Sequence, residues 1–391
     1  MTLTATLANV FRRNPHPLYA TFRRIAPVVR LRRGMWAVFD YEHVKRALHD
    51  HDAFSSRAAP PGGAPLDWLI FQDPPRHTAL RGLITRAFTP RAIGEMEPQV
   101  HAIVDELLDD ALAAGTMDLV TEFAAQLPLR VIADMMGMPR ADMPRLMAWS
   151  AAIMQLGDTI YGGERAANAK RAYAACKVDM LPYVRALVVA RRTRPGNDLL
   201  TRLVHAEVDG TLLSEDDIFS FFQLLLLAGT ETTTNLIANA MLCFFAYPDQ
   251  LALVRATPSL LPAAIEEVLR FRSPVQMAFR ATARDVSLRG RVIPGGSLVL
   301  AMIGSANRDP RQFHHAQCFD VTRTGVSHVG FGHGVHYCIG AALARLESRI
   351  ALGALLERAG DIRPVAHRGW IPRPGINIHG PQHLPVRFTI R

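Results

Sequence analysis

The chain has 391 residues, of which 49% are apolar and 20% are charged, and its net charge is +9 at pH 7. This is the balance of an ordinary globular protein, and no run reaches the roughly 18 apolar residues of a membrane span. The positive charge predicts either a solvated arginine-rich surface or a basic patch for an acidic partner, whereas no Lys/Arg run is interleaved with aromatic residues as nucleic-acid modules require.

The cysteine spacing and the lack of linkers and repeats indicate the class of protein more closely. Cys176, Cys243, Cys318 and Cys338 lack the spacing of a disulfide framework, which indicates a reducing compartment. The first residues do not follow the pattern of a secretion signal. Without a Ser/Gly linker, repeat or charge block, residues 1–391 are expected to form one large domain. We therefore expect a cytoplasmic protein with neither a membrane nor a nucleic acid as partner.

The first predicted elements are short. Residues 28–31 and 36–39 flank Gly34 as a hairpin would, and residues 41–48 have the pattern of an amphipathic helix. A Pro-, Ala- and Gly-rich stretch at 57–66 predicts a loop. It leads into an apolar patch that includes Trp68, Leu69 and Ile70, and core packing is the simplest reading of such a patch.

A helix is predicted to begin at Pro74–Pro75 and to continue to residue 84. His77 and Arg81 lie four residues apart and therefore on one face. Such a pair is often merely solvated, but it can also clamp a carboxylate. Residues 91–213 are mostly helical by periodicity, with proline residues between the segments.

A long helix is predicted from the capping residues at 214–217 to about Ala246. Its first half is apolar on most sides, which implies burial. The pattern then changes to Gly229-Thr230-Glu231-Thr232, and an acid and hydroxyls in a buried helix need partners or water. Gly229 would allow a flat ligand to approach the backbone closely.

Two further segments precede the most informative stretch of the chain. A helix beginning at Pro262 places Glu267 and Arg270 three apart, where they can pair. Residues 273–303 have the pattern of strands with turns at 289–290 and 294–296, and residues 375–380 resemble the tip of a terminal hairpin.

Residues 331–340 read F-G-H-G-V-H-Y-C-I-G and precede a strong helix former. The glycines permit tight turns, and Cys338 stands where the start of the next helix favours an anion. A thiolate there is a nucleophile or a metal ligand. Two alternatives are a buried structural cysteine and a zinc site that uses His333, His336 and Cys338, although three crowded ligands are few for zinc.

This loop resembles the haem-binding loop of the cytochrome P-450 family, whose cysteine thiolate is the axial ligand of haem iron. Three more segments resemble the same family in the expected order: D-P-P-x-H-x-x-x-R at 73–81, A-G-T-E-T-T at 228–233 and E-x-x-R at 267–270. The resemblance extends over essentially the whole chain. It implies a mainly α fold with small β-sheets in a single large domain.

The resemblance also implies a cofactor and its ligands. Haem b (iron protoporphyrin IX) would be the cofactor, Cys338 its iron ligand, and O2 a co-substrate. His77, Arg81, Arg280 and His336 would bind the haem propionates. The full set assigned to haem binding is His77, Arg81, Ala228, Gly229, Arg280, Phe331, His336, Cys338 and Gly340.

The remaining roles follow from the same resemblance. Glu231 and Thr232 would relay protons to the oxygen site, and Glu267 and Arg270 would form a structural ion pair. The family usually adds an arginine just before the Phe-Asp that is 319–320 here, but Cys318 stands in that place. His314 or His315 is expected to substitute for the missing arginine.

The resemblance implies a monomeric enzyme with a small, mostly apolar organic substrate. The expected pocket residues are Trp68, Leu69, Ile70, Leu227, Val275, Met277 and Ile376. Residues 154–191 would carry two helices and a loop that cover the entrance. Electrons would pass from NAD(P)H through a reductase to a 2Fe–2S or similar acidic ferredoxin, which would dock on Arg81, Arg86, Arg345 and Arg349.

The leading prediction is therefore a haem-thiolate monooxygenase that hydroxylates or epoxidises its substrate. One alternative is a peroxide-driven peroxygenase or a dehydratase on the same scaffold, but such a site would not need the Glu231–Thr232 pair. Another is a haem-binding sensor or carrier that performs no turnover.

Overall fold

The structure is a computed structural model that describes residues 11–58, 66–208, 210–365 and 369–389. Its helices are α1 His16–Ile25, α2 Tyr41–His49, α3 Arg76–Thr85, α4 Pro90–Gly94, α5 Glu97–Ala114, α6 Gln126–Met135, α7 Met143–Gln155, α8 Gly163–Thr193, α9 Leu199–Val204, α10 Glu215–Ala246, α11 Pro248–Ala256, α12 Leu261–Phe271, α13 Ile303–Ala306 and α14 Ala341–Arg358.

The strands are short and are grouped in small sheets. They are β1 Val28–Arg32, β2 Met35–Val38, β3 Phe54–Ser55, β4 Thr116–Asp118, β5 Glu207–Val208, β6 Thr211–Leu212, β7 Ala278–Thr282, β8 Val286–Leu288, β9 Arg291–Ile293, β10 Leu298–Ala301, β11 Arg363–Pro364, β12 Ile371–Pro372, β13 Pro381–His383 and β14 Pro385–Arg387. The predicted fold class, mainly α with small β-sheets, is confirmed.

Local sequence signals explain where several elements begin. The Asp40 carboxylate accepts the His43 N–H and caps α2, and the Asp198 carboxylate accepts the Thr201 N–H and caps α9. The Ser214 hydroxyl oxygen accepts the Asp217 N–H at 3.0 Å and opens α10, whose first turn carries three acids. The caps of α2 and α10 set these two helix starts close to the positions that the sequence predicts.

The described backbone groups into two compact units, each built from separate stretches of the chain. The first comprises the described residues within 1–56, 98–126 and 232–391, and the second comprises those within 57–97 and 127–231. Helix α10 contributes its last part to the first unit and its first part to the second. The two units are described separately below.

The first unit contains a five-stranded sheet in the order β1-β2-β10-β7-β3. The predicted hairpin is its edge. Gly34 lies in the turn with a φ of +71°, a conformation that favours a residue without a side chain. Its core includes Trp36, Val38, Val299 and Ala301 together with apolar residues of α2. The terminal hairpin also forms, because β12 pairs with β13.

The second unit is almost entirely helical. Helix α7 ends at Gln155, a turn follows at Leu156–Tyr161, and α8 then runs for 31 residues. Gly162 and Gly163 have φ angles of +70° and +59°, which allow the sharp turn before α8. The predicted loop at 57–66 lies mostly outside the described residues.

Among the described residues, no single helix has both the length and the apolar composition needed to cross a membrane. Only α10 and α11 taken together meet that criterion, and they are bent by 109° relative to each other.

Candidate functional site

The loop that carries Cys338 lies in the first unit and is closed by backbone hydrogen bonds. The Cys338 N–H donates to the Phe331 carbonyl at 2.8 Å, and the Tyr337 N–H donates to the Gly334 carbonyl at 3.0 Å. Gly332 and Gly334 have φ angles of +76° and +74°, conformations that favour glycine. The glycines of the motif therefore build the turns that present the cysteine.

Cys338 differs from the other cysteines in its surroundings. It is half-buried three residues before the first residue of α14, whereas Cys318 is exposed and Cys243 is buried. Burial raises the pKa of the Cys243 thiol to about 11, as an apolar setting does for an inert cysteine. Cys338 is therefore not the fully buried structural residue of the first alternative.

The zinc alternative gains no support. In the part of the chain that the structure describes, the ligand atoms of His333, His336 and Cys338 do not form a cluster. The group of three that does come within 4.8 Å is Asp40, Glu42 and His43, far from the cysteine in sequence. In this group, the Asp40 carboxylate is the cap of α2 and also accepts a hydrogen bond from the His43 ring at 2.6 Å.

Two predicted propionate ligands belong to the same unit as Cys338. Arg280 is buried on β7, where it faces Val299 of β10 across the sheet, and one Nη donates to the Phe279 carbonyl at 2.8 Å. His336 is half-buried and ends the short turn Gly334–His336. A rigid strand and a closed loop therefore hold these side chains.

The other two predicted propionate ligands lie on α3 in the second unit. His77 is only 1% exposed, and Arg81 follows it by one turn and is half-buried. The His77 N–H donates to the Asp73 carbonyl at 3.0 Å, which begins the helix directly after the two prolines. Their shared face is the one that the sequence predicts.

Helix α10 is buried along most of its length but has one accessible face. Residues 221–226 and 233–241 are buried, whereas Leu227, Glu231 and Thr232 are half-buried and Ala228 is exposed. Positions 227, 228, 231 and 232 lie on one side of a helix. An exposed alanine in the middle of a buried helix means that this side is not covered by packed side chains.

The glycine in this segment has a packing role. A Cβ on Gly229 would come within 2.6 Å of the Ile132 side chain on α6, closer than atoms can pack. A side chain at position 229 would therefore force Ile132 to shift, so that glycine favours the close approach of α6 and α10. Its predicted contact with a bound ligand is a separate matter and stays a prediction.

The structural ion pair has a third member that the sequence analysis missed. Arg270 donates to both carboxylate oxygens of Glu267 at 2.7 Å, and both side chains are fully buried. The Arg323 Nε donates to the same carboxylate at 3.1 Å, as does the Asp320 N–H. Glu267 is thus surrounded by donors, as a buried carboxylate requires.

The expectation that His314 or His315 replaces the missing arginine is wrong. Both histidines are exposed, and only their backbone carbonyls take part, accepting hydrogen bonds from Arg323 at 2.8 and 3.3 Å. Arg323 reaches Glu267 from the residues after Cys318, because the chain turns back there. The only hint in the sequence is that an arginine, Arg323, follows Cys318 by five residues.

Arg345 is committed to an ion pair. Its Nε and Nη2 donate to the two oxygens of Glu266 at 2.6 and 2.9 Å, and His328 contacts the same carboxylate at 3.1 Å. Burial alone would raise the pKa of the Glu266 carboxyl group. The hydrogen bonds from Arg345 and His328 together have the larger effect and lower this pKa to about 2. The charge of Arg345 is thus largely compensated within the chain.

The predicted pocket residues differ in exposure. Trp68 and Leu69 are buried, Ile70 is 41% exposed, and Leu227 lies on the accessible face of α10. In the first unit, the Gln276 N–H donates to the Asn377 carbonyl at 2.7 Å. This bond aligns the backbone around Ile376 with the segment that carries Val275 and Met277.

The comparisons with known proteins agree with these features. A family model for cytochrome P-450 matches residues 168–358. The chain is 40% identical to cytochrome P-450 107B1 of Saccharopolyspora erythraea, over 97% of this chain and 96% of that protein. It is 37% identical to the vitamin D(3) 25-hydroxylase of Pseudonocardia autotrophica, over 98% and 96% of the two chains.

A solved structure is similar over nearly the full length. CYP109E1 of Bacillus megaterium in complex with testosterone has a TM-score of 0.91 and 35% identity, covering 97% of this chain and 99% of that one. Identity above 30% over almost all of both chains indicates common ancestry.

Proposed function

The chain belongs to the cytochrome P-450 family of monooxygenases, and we propose that Cys338 holds its haem iron while Glu231 and Thr232 deliver protons. The observation that carries this proposal is the accessible face of α10. It presents an acid and a hydroxyl on an otherwise buried helix. Such placement is costly unless the groups serve a bound reactant.

The residues present fit a haem by their chemistry. A half-buried thiol stands before the start of an 18-residue helix, whose free N–H groups favour a thiolate. His77, Arg81, Arg280 and His336 supply the cationic and N–H donors that carboxylates require. Ala228 adds a small side chain on the accessible face. Haem b is the form of cofactor that we propose.

When bound, thiolate-ligated haem supplies O2 activation and favours O–O cleavage. The chain's own contribution is positioning and proton supply. The closed backbone of residues 331–338 would position the Cys338 sulfur, and His77, Arg81, Arg280 and His336 would hold the haem propionates. Phe331 and Gly340 bound the loop on its two sides.

Glu231 and Thr232 have complementary parts in proton transfer. A carboxyl group can pass protons to and from water, and a hydroxyl both donates and accepts hydrogen bonds. Adjacent on one helix face, Glu231 would take protons from solvent and Thr232 would hold a water or proton at the oxygen site. A peroxide-driven enzyme would not need this relay.

The proposed substrate is an uncharged, mostly apolar organic molecule. The pocket residues proposed for it are apolar: Trp68, Leu69, Ile70, Leu227, Val275, Met277 and Ile376. The names of two relatives give support, since one is a vitamin D(3) hydroxylase and the other was solved with testosterone. A panel of steroids, terpenoids and fatty acids, titrated against the haem Soret band, would identify the class.

The proposed electron donor is an acidic ferredoxin of the 2Fe–2S or a similar type, with its NAD(P)H reductase. The net charge of +9 supports an acidic partner. The arginines proposed for docking are Arg81, Arg86, Arg345 and Arg349, of which Arg345 also pairs with Glu266.

The assignment of Cys338 is tested by its replacement. Cys338→Ala should abolish the red-shifted absorption band of the reduced, carbon monoxide-bound protein, because that band requires a thiolate ligand. Cys318→Ala is the matched control, since it removes an exposed cysteine, and it should retain the full band. A normal band in Cys338→Ala would refute the assignment.

A further inference from the structure

Helices α6, α7 and α8 of the second unit contact α10 through hydrogen bonds and close packing. The Ser150 hydroxyl of α7 lies 3.0 Å from the Thr230 hydroxyl, and both side chains are buried. The Tyr173 hydroxyl of α8 donates to the Gln223 side-chain carbonyl. Ile132 of α6 packs against Gly229. We call Ser150, Tyr173, Thr230 and Gln223 the polar clamp.

The helical geometry shows which sides these contacts occupy. At about 100° per residue, Gln223 and Thr230 lie within about 20° of each other on the helix circumference. Glu231 and Thr232 are turned from Thr230 by about 100° and 200°. The clamp therefore binds one side of α10 and leaves the acid and the hydroxyl on another.

The direction of the hydrogen bonds can be worked out. The Thr230 hydroxyl donates to the Leu226 carbonyl at 2.8 Å, so its proton is already used. The Ser150 hydroxyl must therefore donate to the Thr230 oxygen. Thr230 accepts from α7 while it bonds back to its own helix, an arrangement that tends to bend helices locally.

We propose that Ser150 is a positioning residue: through Thr230 it holds the segment 228–232 so that Glu231 and Thr232 face the reacting oxygen. The inference rests on the proposed function of those two residues. Its hydroxyl lies 3.0 Å from that of Thr230, which directly precedes Glu231 and transmits the effect. Tyr173 and Gln223 make a second attachment two turns earlier on the same side of α10.

The polar clamp also links the position of α7 and α8 to that of the proposed proton-transfer residues. By the resemblance to the family, residues 154–191, which include the end of α7 and most of α8, would cover the substrate entrance. When α7 and α8 pack on α10 as seen here, both hydrogen bonds form and the segment 228–232 is held. A movement of α7 that breaks the bond to Thr230 would release it. Proton delivery would then be supported only while α7 is in place.

The first test measures helix opening and does not depend on turnover. In the haem-loaded, substrate-free protein, Ser150→Ala should speed amide hydrogen exchange in a peptide covering 226–232 by about fivefold, since a buried bond that restrains the segment is lost. Thr193→Ala is the control, because its hydroxyl bonds only within α8. Tyr173→Phe should speed exchange around residues 220–225.

The second test measures how tightly NADH consumption is coupled to product formation. Ser150→Ala should lower product formed per NADH consumed by about twofold to fivefold while substrate affinity, read from the Soret band, is unchanged. The exchanged pair Ser150→Thr with Thr230→Ser keeps both hydroxyls and the total volume, and it should restore coupling. A variant that lost stability alone would not be rescued in this way.

The outcomes separate this proposal from the function on which it rests. Wild-type exchange and wild-type coupling in Ser150→Ala would overturn the clamp, and so would a folded exchanged pair that fails to restore them. If Thr232→Ala kept normal coupling, the proposed role of Thr232 would fail, whereas faster exchange in Ser150→Ala would still show that Ser150 holds α10.

Discussion

Two glutamates of this chain lie among apolar residues and have opposite environments. Glu267 is fully buried, and two arginines and a backbone N–H donate to its carboxylate. Glu231 is half-buried on the accessible face of α10, beside the exposed Ala228. The Glu267 carboxylate accepts four hydrogen bonds from fixed donors, whereas the Glu231 side chain is only partly covered by the protein.

The difference shows how one residue type serves structure in one region and chemistry in another. A carboxylate whose lone pairs are all taken by fixed donors has none left for a reactant. One on a partly covered helix face can still contact a bound molecule. Motif matching assigns both residues to the same family, but only the surroundings distinguish their parts.

The largest expected effect comes from breaking the enclosed site. Glu267→Gln removes the charge that Arg270 and Arg323 require and leaves buried guanidinium groups without their anion. Breaking a buried pair in this way costs about 3–5 kcal/mol, a large share of the stability of a typical domain. We expect little folded, haem-loaded protein. Glu231→Gln is the matched comparison, and its haem content and urea midpoint should be near wild type.

A smaller effect should distinguish Arg323 from the nearby histidines. Arg323→Ala removes one donor to Glu267 and should destabilise by about 1–3 kcal/mol in urea unfolding. His314→Ala and His315→Ala should stay within about 0.5 kcal/mol of wild type, because only their backbone carbonyls are used. If either histidine variant lost as much stability as Arg323→Ala, the assignment of the third partner would fail.

Much of the fold and the site was predictable from local sequence. The capping residues at 214–217 and the proline at 248 bound α10 where predicted, and Gly34 marks the first hairpin. Arg323 was missed because its contact with Glu267 depends on the path of an irregular segment. The bond between Ser150 and Thr230 joins residues 80 apart and has no local signature. Sequence patterns report turns and faces, whereas such pairings require tertiary structure.

The pH dependence of stability should show a still smaller effect at Glu266. Its pKa falls from an ordinary value of 4.5 to about 2 in the folded chain. A depressed folded pKa contributes stability above pH 4.5, and that contribution is lost as the pH falls towards 2. The gap in unfolding free energy between wild type and Glu266→Gln should thus shrink from pH 6 to pH 3. A gap that stays constant would exclude the pairing with Arg345 as its source.

The accessible face of α10 is tested most directly by the product formed per NADH consumed in Thr232→Ala. The variant should bind haem and substrate as wild type does, because its side chain is half-buried and only a small group is lost. It should still consume NADH and O2 but release peroxide in place of most of the product, since proton delivery is no longer controlled. Thr233→Ala, at the next and buried position, is the control and should remain coupled. Wild-type coupling in Thr232→Ala would contradict the account.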